Sequence, residues 1–149
     1  MKKLVIYDSQ YGNTQKVAEA VAKSISGKLL CVSDTNTTDL TGVEILIVGS
    51  PTQGGQSTQN IQAFLGSIPG GFLKNVKVAA FDTRFSENKV NFALKILIKT
   101  IGYAAPKIAK SLEAKGGKLI LHPEGFIVKG KEGPLAKGEL ERAKKWINL

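Results

Sequence analysis

The sequence contains a single cysteine, Cys31, which excludes an internal disulfide framework and any cluster held by several thiolates. In "KLLCVSD" that thiol reads as part of a buried strand. The single histidine, His122, has no cluster of carboxylates around it in the sequence, so no metal site is expected. No stretch approaches the roughly 20 apolar residues that span a bilayer, so no transmembrane segment is expected either. The opening "MKKLVIYDSQ" has too short an apolar core for a signal peptide and reads as a first strand; the expected location is the cytoplasm. Two common phosphate signatures are also missing. Nothing matches G-x-x-x-x-G-K-[ST], which disfavours a nucleoside triphosphatase, and no G-x-G-x-x-G follows the first strand.

Acidic residues are scarce: 12 Asp+Glu stand against 21 Lys+Arg, for a net charge of +9. The excess is local. Residues 1–73 hold 5 Lys and 5 Asp+Glu, whereas residues 74–149 hold 16 Lys+Arg against 7 Asp+Glu. Such asymmetry points to an acidic partner, an anionic surface or nucleic acid, or simply to a solvated basic face. Aromatics are only 7% of residues and no recognition-helix or RNA-binding signature appears, so nucleic acid is not expected.

What is present is alternation. Short apolar runs at Leu4–Tyr7, Lys28–Ser33, Glu44–Ser50, Val76–Asp82 and Lys118–His122 predict five strands. Between them lie apolar stripes at helical spacing. Val17, Ala18, Val21, Ala22 and Ile25 form one, closed by Gly27, and Ile61, Phe64, Leu65 and Ile68 form another. Ala105, Ile108, Ala109 and Leu112 form a third around Pro106, and Leu140, Ala143 and Ile147 close the chain with Trp146. Strands and helices in turn predict βαβ units in one domain over residues 1–149: an α/β/α three-layer fold around a doubly wound parallel sheet. One helix is surplus to this pattern. Asn91–Gly102 carries a stripe of Leu94, Leu97, Ile98 and Ile101, with Phe92 and Ile96 on another side and Lys89, Lys95 and Lys99 nearby. It reads either as core covered on two sides or as a docking face for a partner, a second subunit or an anionic membrane surface.

In a parallel sheet, ligands bind where loops leave the carboxyl ends of strands. The first such loop, Ser9-Gln10-Tyr11-Gly12-Asn13-Thr14, joins a strand directly to a helix. Gly12 permits a positive φ, Asn13 or Thr14 can cap the helix, and the helix N-terminus supplies unpaired N–H groups. The loop has no lysine, so it suits a phosphate monoester cradled by neutral donors, although ordinary capping also explains these residues. The third strand ends in "GSPTQGG" and the fourth in "FDTRFS". Three specialised polar loops then share one edge.

Taken with "SQYGNT", "GSPTQGG" and "FDTRFS", the chain resembles the flavodoxins over nearly its full length, and the tail "GFIVKGKEGPLAKGELERAKKWI" resembles the strand-five and final-helix region of their short-chain members. The resemblance implies a five-stranded order of 2-1-3-4-5 with FMN at the switch point between strands one and three. It implies that Ser9, Gln10, Tyr11, Gly12, Asn13 and Thr14 hold the FMN phosphate. Ser50, Pro51, Thr52, Gln53 and Gly54 would line one side of the flavin ring, and Asp82, Thr83, Arg84 and Phe85 the other. Two departures stand out. Flavodoxins usually stack an aromatic from each ring loop, but only Phe85, with Tyr11, is available here. The family's carriers are acidic, whereas this chain is basic. An Arg84 about 5 Å from the ring would stabilise the reduced anion by at most roughly 3 kcal/mol at an effective dielectric near 20; the alternative is that Arg84 forms a surface salt bridge.

The implied function is electron transfer through bound FMN, with no catalytic protein residue and with an acidic redox partner favoured by the charge. The alternatives are an FMN-dependent reductase of a quinone or other small acceptor, and an interaction module that no longer binds FMN. A homodimer through residues 91–102 is a further expectation of the surplus helix.

Overall fold

The computed structural model describes residues 1–86 and 91–148. The strands are β1 (Lys2–Tyr7), β2 (Lys28–Cys31), β3 (Val43–Pro51), β4 (Lys77–Phe85), β5 (Lys118–Leu119) and β6 (Glu124–Val128). The helices are α1 (Asn13–Ile25), α2 (Gln59–Ser67), α3 (Phe92–Ile101), α4 (Ala104–Ala114) and α5 (Glu139–Trp146). All strand pairings in the sheet are parallel, in the order β2-β1-β3-β4-β5, with β6 also beside β4.

Continuous apolar runs work here because both sheet faces are covered. Alternate residues of each strand go to opposite sides. Leu4, Ile6, Leu46, Val48, Val78 and Ala80 pack under α2 and α4, with Ile61, Phe64, Ile108 and Leu112. Val5, Ile45, Ile47, Ala79 and Phe81 pack under α1 and α5, with Val17, Val21, Ala143 and Ile147. Phe81, Phe126 and Trp146 meet edge to face in that second layer, with centroids 6.0–6.1 Å apart. Each such pair adds about 0.5–1.5 kcal/mol beyond its buried area.

Several expected boundaries move. β2 stops at Cys31, and a 3₁₀ turn takes Val32–Asp34. Because β2 is an edge strand, Cys31 is only half-buried, with Sγ 3.3 Å from the Ser33 hydroxyl. The fifth strand is split. β5 covers two residues opposite Lys77 and Val78, and β6 then pairs with Phe81–Phe85. Pro123 lies between them and lacks the N–H that a continuous ladder needs. β6 in turn extends β4 past its expected end at Asp82, so Thr83, Arg84 and Phe85, expected in a loop, lie on a strand.

The surplus helix forms, but it is not core. Phe92 is 78% exposed, Ile96 51% and Leu97 50%, which overturns the reading of a helix covered on two sides. Lys89 and the side chain of Ile98 lie outside the described residues. Among the described residues no helix is long and apolar enough to cross a membrane.

Candidate functional site

Strand register gathers the site. Tyr7 lies beside Gly49, Gly49 beside Phe81, and Thr83 beside Phe126, so the segments leaving β1, β3, β4 and β6 emerge at one edge. They enclose a cleft of about 330 Å³. Its walls include Ser9, Gln10, Tyr11, Asn13 and Thr14 from the first loop, and Pro51, Thr52, Gln53 and Gly54 from the end of β3 and the loop after it. Thr83, Arg84 and Phe85 on β4, then Val128 and Lys131, complete it.

The first loop is held open by its own bonds. Gly12 is the helix N-cap with φ 92°, a left-handed conformation that L side chains resist. Asn13 and Thr14, expected as caps, are instead the first helical residues. The Ser9 hydroxyl does the capping: its oxygen accepts from Gly12 N–H at 3.0 Å and Gln15 N–H at 3.4 Å. Among the described residues the backbone N–H groups of Gln10, Tyr11, Asn13 and Thr14 meet no acceptor. These donors and the positive end of α1 sit together at the cleft. Thr14 is buried, its hydroxyl 2.8 Å from that of Thr83, which ties α1 to β4. Asn13 Nδ2 donates to the Glu132 carbonyl at 3.1 Å, clamping the loop after β6 onto the helix start. Across the mouth, Gln53 Nε2 donates to Gln10 Oε1 at 2.8 Å.

Not every expected residue faces the cleft. Ser50 is fully buried; its hydroxyl donates to the Pro51 carbonyl and accepts from Thr58 N–H, shaping the turn after β3. Asp82 is also fully buried and lies behind Arg84. Its carboxylate accepts from Arg84 Nε and Nη2, each at 2.7 Å, and from Ala105 N–H at 2.9 Å. The guanidinium lies 3.6 Å over the Tyr103 ring centroid. Its other side rests against Gly125, where an added Cβ would fall 2.0 Å from Nε. Arg84 is thus a paired, stacked wall group. The expectation of a free Arg84 charge beside a ring is corrected: a carboxylate in bidentate contact cancels most of its field at any distance larger than the pair itself.

The cationic group that sequence reasoning missed is Lys131. It enters the cleft from far along the chain and has no ion pair among the described residues. Local spacing gives no hint of it; the Asn13–Glu132 clamp brings it in.

Beside the cleft lies a second, apolar groove of about 300 Å³, bounded by α3 and sharing Thr52, Gly54, Arg84 and Phe85 with it. Behind β6, Glu139 organises the start of α5. Its carboxylate accepts from Ile127 N–H at 2.6 Å and from Arg142 Nε at 2.9 Å. Burial pushes its pKa up, but the Arg142 hydrogen bonds, the Ile127 N–H and the Arg142 charge outweigh this and hold it below the ordinary value.

The flavodoxin family model matches residues 5–146 of this chain. A flavodoxin from the domain Archaea superposes with a TM-score of 0.74 at 22% identity, covering 99% of this chain and 94% of that one. Oxidised Flavodoxin 1 from Bacillus cereus gives 0.74 at 17% identity, covering 97% and 93%. A WrbA-like flavodoxin from Agrobacterium tumefaciens gives 0.74 at 19%, covering 99% and 92%. No curated protein sequence matches the chain. With sheet order, edge cleft and family model in agreement, this chain belongs to the flavodoxin family.

Proposed function

We propose that the protein binds FMN in the edge cleft and serves as a one-domain electron-transfer flavoprotein. The observation that carries this reading is the set of four N–H groups at Gln10, Tyr11, Asn13 and Thr14 that have no acceptor among the described residues, at the start of α1. That donor set suits a phosphate monoester: neutral, convergent and aided by the helix dipole. Hydroxyls of Ser9 and Thr14 add donors, while Pro51, Phe85 and Val128 give the rest of the cleft apolar surface for a flat ring. When bound, FMN supplies the one- and two-electron chemistry.

The protein's own residues bind, orient and set the field. Gly12 and the Ser9 cap keep the donors pointed outward. Thr52, Gln53 and Gly54 border one side of the cleft, and Thr83, Arg84 and Phe85 the other. Asp82 holds Arg84 in place rather than facing the ligand. Lys131 adds positive potential, which favours anionic ligands and anionic forms of a bound ring. The +9 charge suits an acidic redox protein as partner, and we place this exchange in the cytoplasm.

FMN titration followed by quenching of its fluorescence tests the reading. Tyr11 is 41% exposed, so Tyr11→Glu leaves the fold intact while adding a negative charge beside the donors. The expected result is saturable binding by the parent, weakened about tenfold or more in Tyr11→Glu, with riboflavin affected far less. No binding of FMN by the folded protein would instead leave the interaction-module alternative.

A further inference from the structure

We propose that the gap between α2 and α4 is a second ligand site, separate from the FMN cleft, that takes a small phosphorylated sugar. The two helices lie side by side over Leu46, Val78 and Ala80 of the sheet. Between them is a cavity of about 330 Å³, at the lower end of the range for small-molecule sites, and no residue lines both it and the cleft. α2 turns Gln62, Leu65 and Gly66 toward it, spaced i, i+3, i+4. α4 and its C-cap turn Lys107, Ser111 and Lys115, spaced i, i+4, i+8. The gap stays open because small residues border it. An added Cβ on Gly66 would meet nothing within 4 Å, and Ala114 stands on the α4 side. Leu65 and Ile108, both buried, give it an apolar floor.

The polar groups around this floor suit an anion. Ser57, just before α2, is only 7% exposed, yet its hydroxyl has no hydrogen-bond partner among the described residues. Among those same residues no sealed side-chain oxygen lacks a partner. The Ser57 oxygen therefore keeps accessible surface, and the cavity it lines is where that surface opens. The Ser111 hydroxyl is likewise unpartnered among the described residues, on a half-buried side chain. Lys115 is half-buried, an unusual place for a lysine, and its ammonium has no ion pair among the described residues. Lys107 Nζ donates to the Gly55 carbonyl at 2.6 Å and the Ile101 carbonyl at 2.7 Å, which fixes the ammonium without neutralising it. No carboxylate is nearby in the sequence to offset these cations. Residues 45–81, which carry α2, contain no Asp or Glu. Residues 88–123, which carry α4, contain only Glu113, two positions from both Ser111 and Lys115 and so on another side of the helix.

The arrangement along the helix gives the ligand its class. Lys107 and Lys115 are eight residues apart, about 12 Å of helix rise, and Lys107 is held at the Gly55 end. A phosphate beside Lys115 and Ser111 leaves Ser57, Gln56 and Gln62 for the rest of the molecule. Gln62 spends one Nε2 N–H on the Ser57 carbonyl at 2.7 Å and keeps its Oε1 as an acceptor. Mixed donors and acceptors of this kind match sugar hydroxyls, which both donate and accept. A bare anion would leave that half of the cavity unfilled.

The test uses the full chain, with and without saturating FMN, and glucose 6-phosphate as the probe, with amide shifts followed by NMR. FMN is included because the first loop would otherwise also take a phosphate; the site itself does not rest on the FMN reading. The expected result is saturable shifts at the Gln56, Ser57, Ser111 and Lys115 amides in both samples, with glucose and inorganic phosphate each about tenfold weaker there. Lys115→Gln should weaken glucose 6-phosphate by about tenfold or more, and Lys115→Arg should restore it. Gly66→Leu, which fills the gap and raises helix propensity, should abolish the shifts while leaving FMN affinity within about twofold. Shifts confined to the first-loop amides and lost with FMN would overturn the proposal. So would glucose or inorganic phosphate binding as tightly as glucose 6-phosphate, or unchanged affinity in Lys115→Gln or Gly66→Leu. A response of these four amides in a protein that binds no FMN would sink the flavoprotein reading and leave this site standing.

Discussion

Replacing Asp82 with asparagine tests whether Arg84 is a held wall group or a free cation. The carboxylate is fully buried and makes three hydrogen bonds, two to Arg84 and one to Ala105 N–H. The amide introduced by Asp82→Asn would keep one acceptor oxygen but turn an NH₂ toward the remaining donors. Removing one partner of a buried pair costs about 3–5 kcal/mol. The Arg84 side chain retains 19% exposure, so solvent recovers part of this and about 2–3 kcal/mol is expected. For a chain of this length that lowers Tm by about 5–10 °C. Thermal melts of Asp82→Asn, Arg84→Met and the double variant form a cycle whose coupling should be about 1 kcal/mol or more. A Tm for Asp82→Asn within about 1 °C of the parent, or additive single changes, would refute the paired geometry.

Glu139 gives the protein an acid limb. Its folded pKa lies below the ordinary 4.5, so its stabilising contribution is complete above 4.5 and is lost as pH falls through the lower folded value. Chemical denaturation from about pH 6 down to about pH 2.5 should show that loss, and Glu139→Gln should flatten it. Lys131→Gln should move the potential of bound FMN negative by roughly 10–40 mV, the scale of one exposed charge interaction, with a smaller shift at high salt; potentiometry reads both. Gly125→Ala should displace the Arg84 guanidinium and lower FMN affinity, because an added Cβ overlaps it at 2.0 Å from Nε, and an unchanged dissociation constant would contradict that.

The sheet was legible because its strands are continuous apolar runs and its helices carry clean stripes. Val17, Val21 and Ile25, or Ile108 and Leu112, leave few other arrangements. The splitting of the fifth strand was harder to read, since "KLILH" looks like a complete strand until Pro123 and the pairing of β6 with Phe81–Phe85 are considered. The candidate site divided in the same way. "SQYGNT" announces an anion loop locally, but its cap is Ser9 rather than Asn13 or Thr14, because the left-handed turn at Gly12 brings that hydroxyl back over the helix start. The flavodoxin resemblance implies that Asp82 and Arg84 are two ligand-facing groups. On a strand, residues two apart share a face, and there they bind each other. Lys131 and the α3 groove come from tertiary closure, which no local pattern encodes.

The most direct measurement is an FMN titration followed by amide NMR on the full chain. The expected result is saturable one-to-one binding with the largest shifts at the Gln10, Tyr11, Asn13 and Thr14 amides, and weaker binding of riboflavin, which lacks the phosphate. A folded protein whose four amides do not respond to FMN would contradict it.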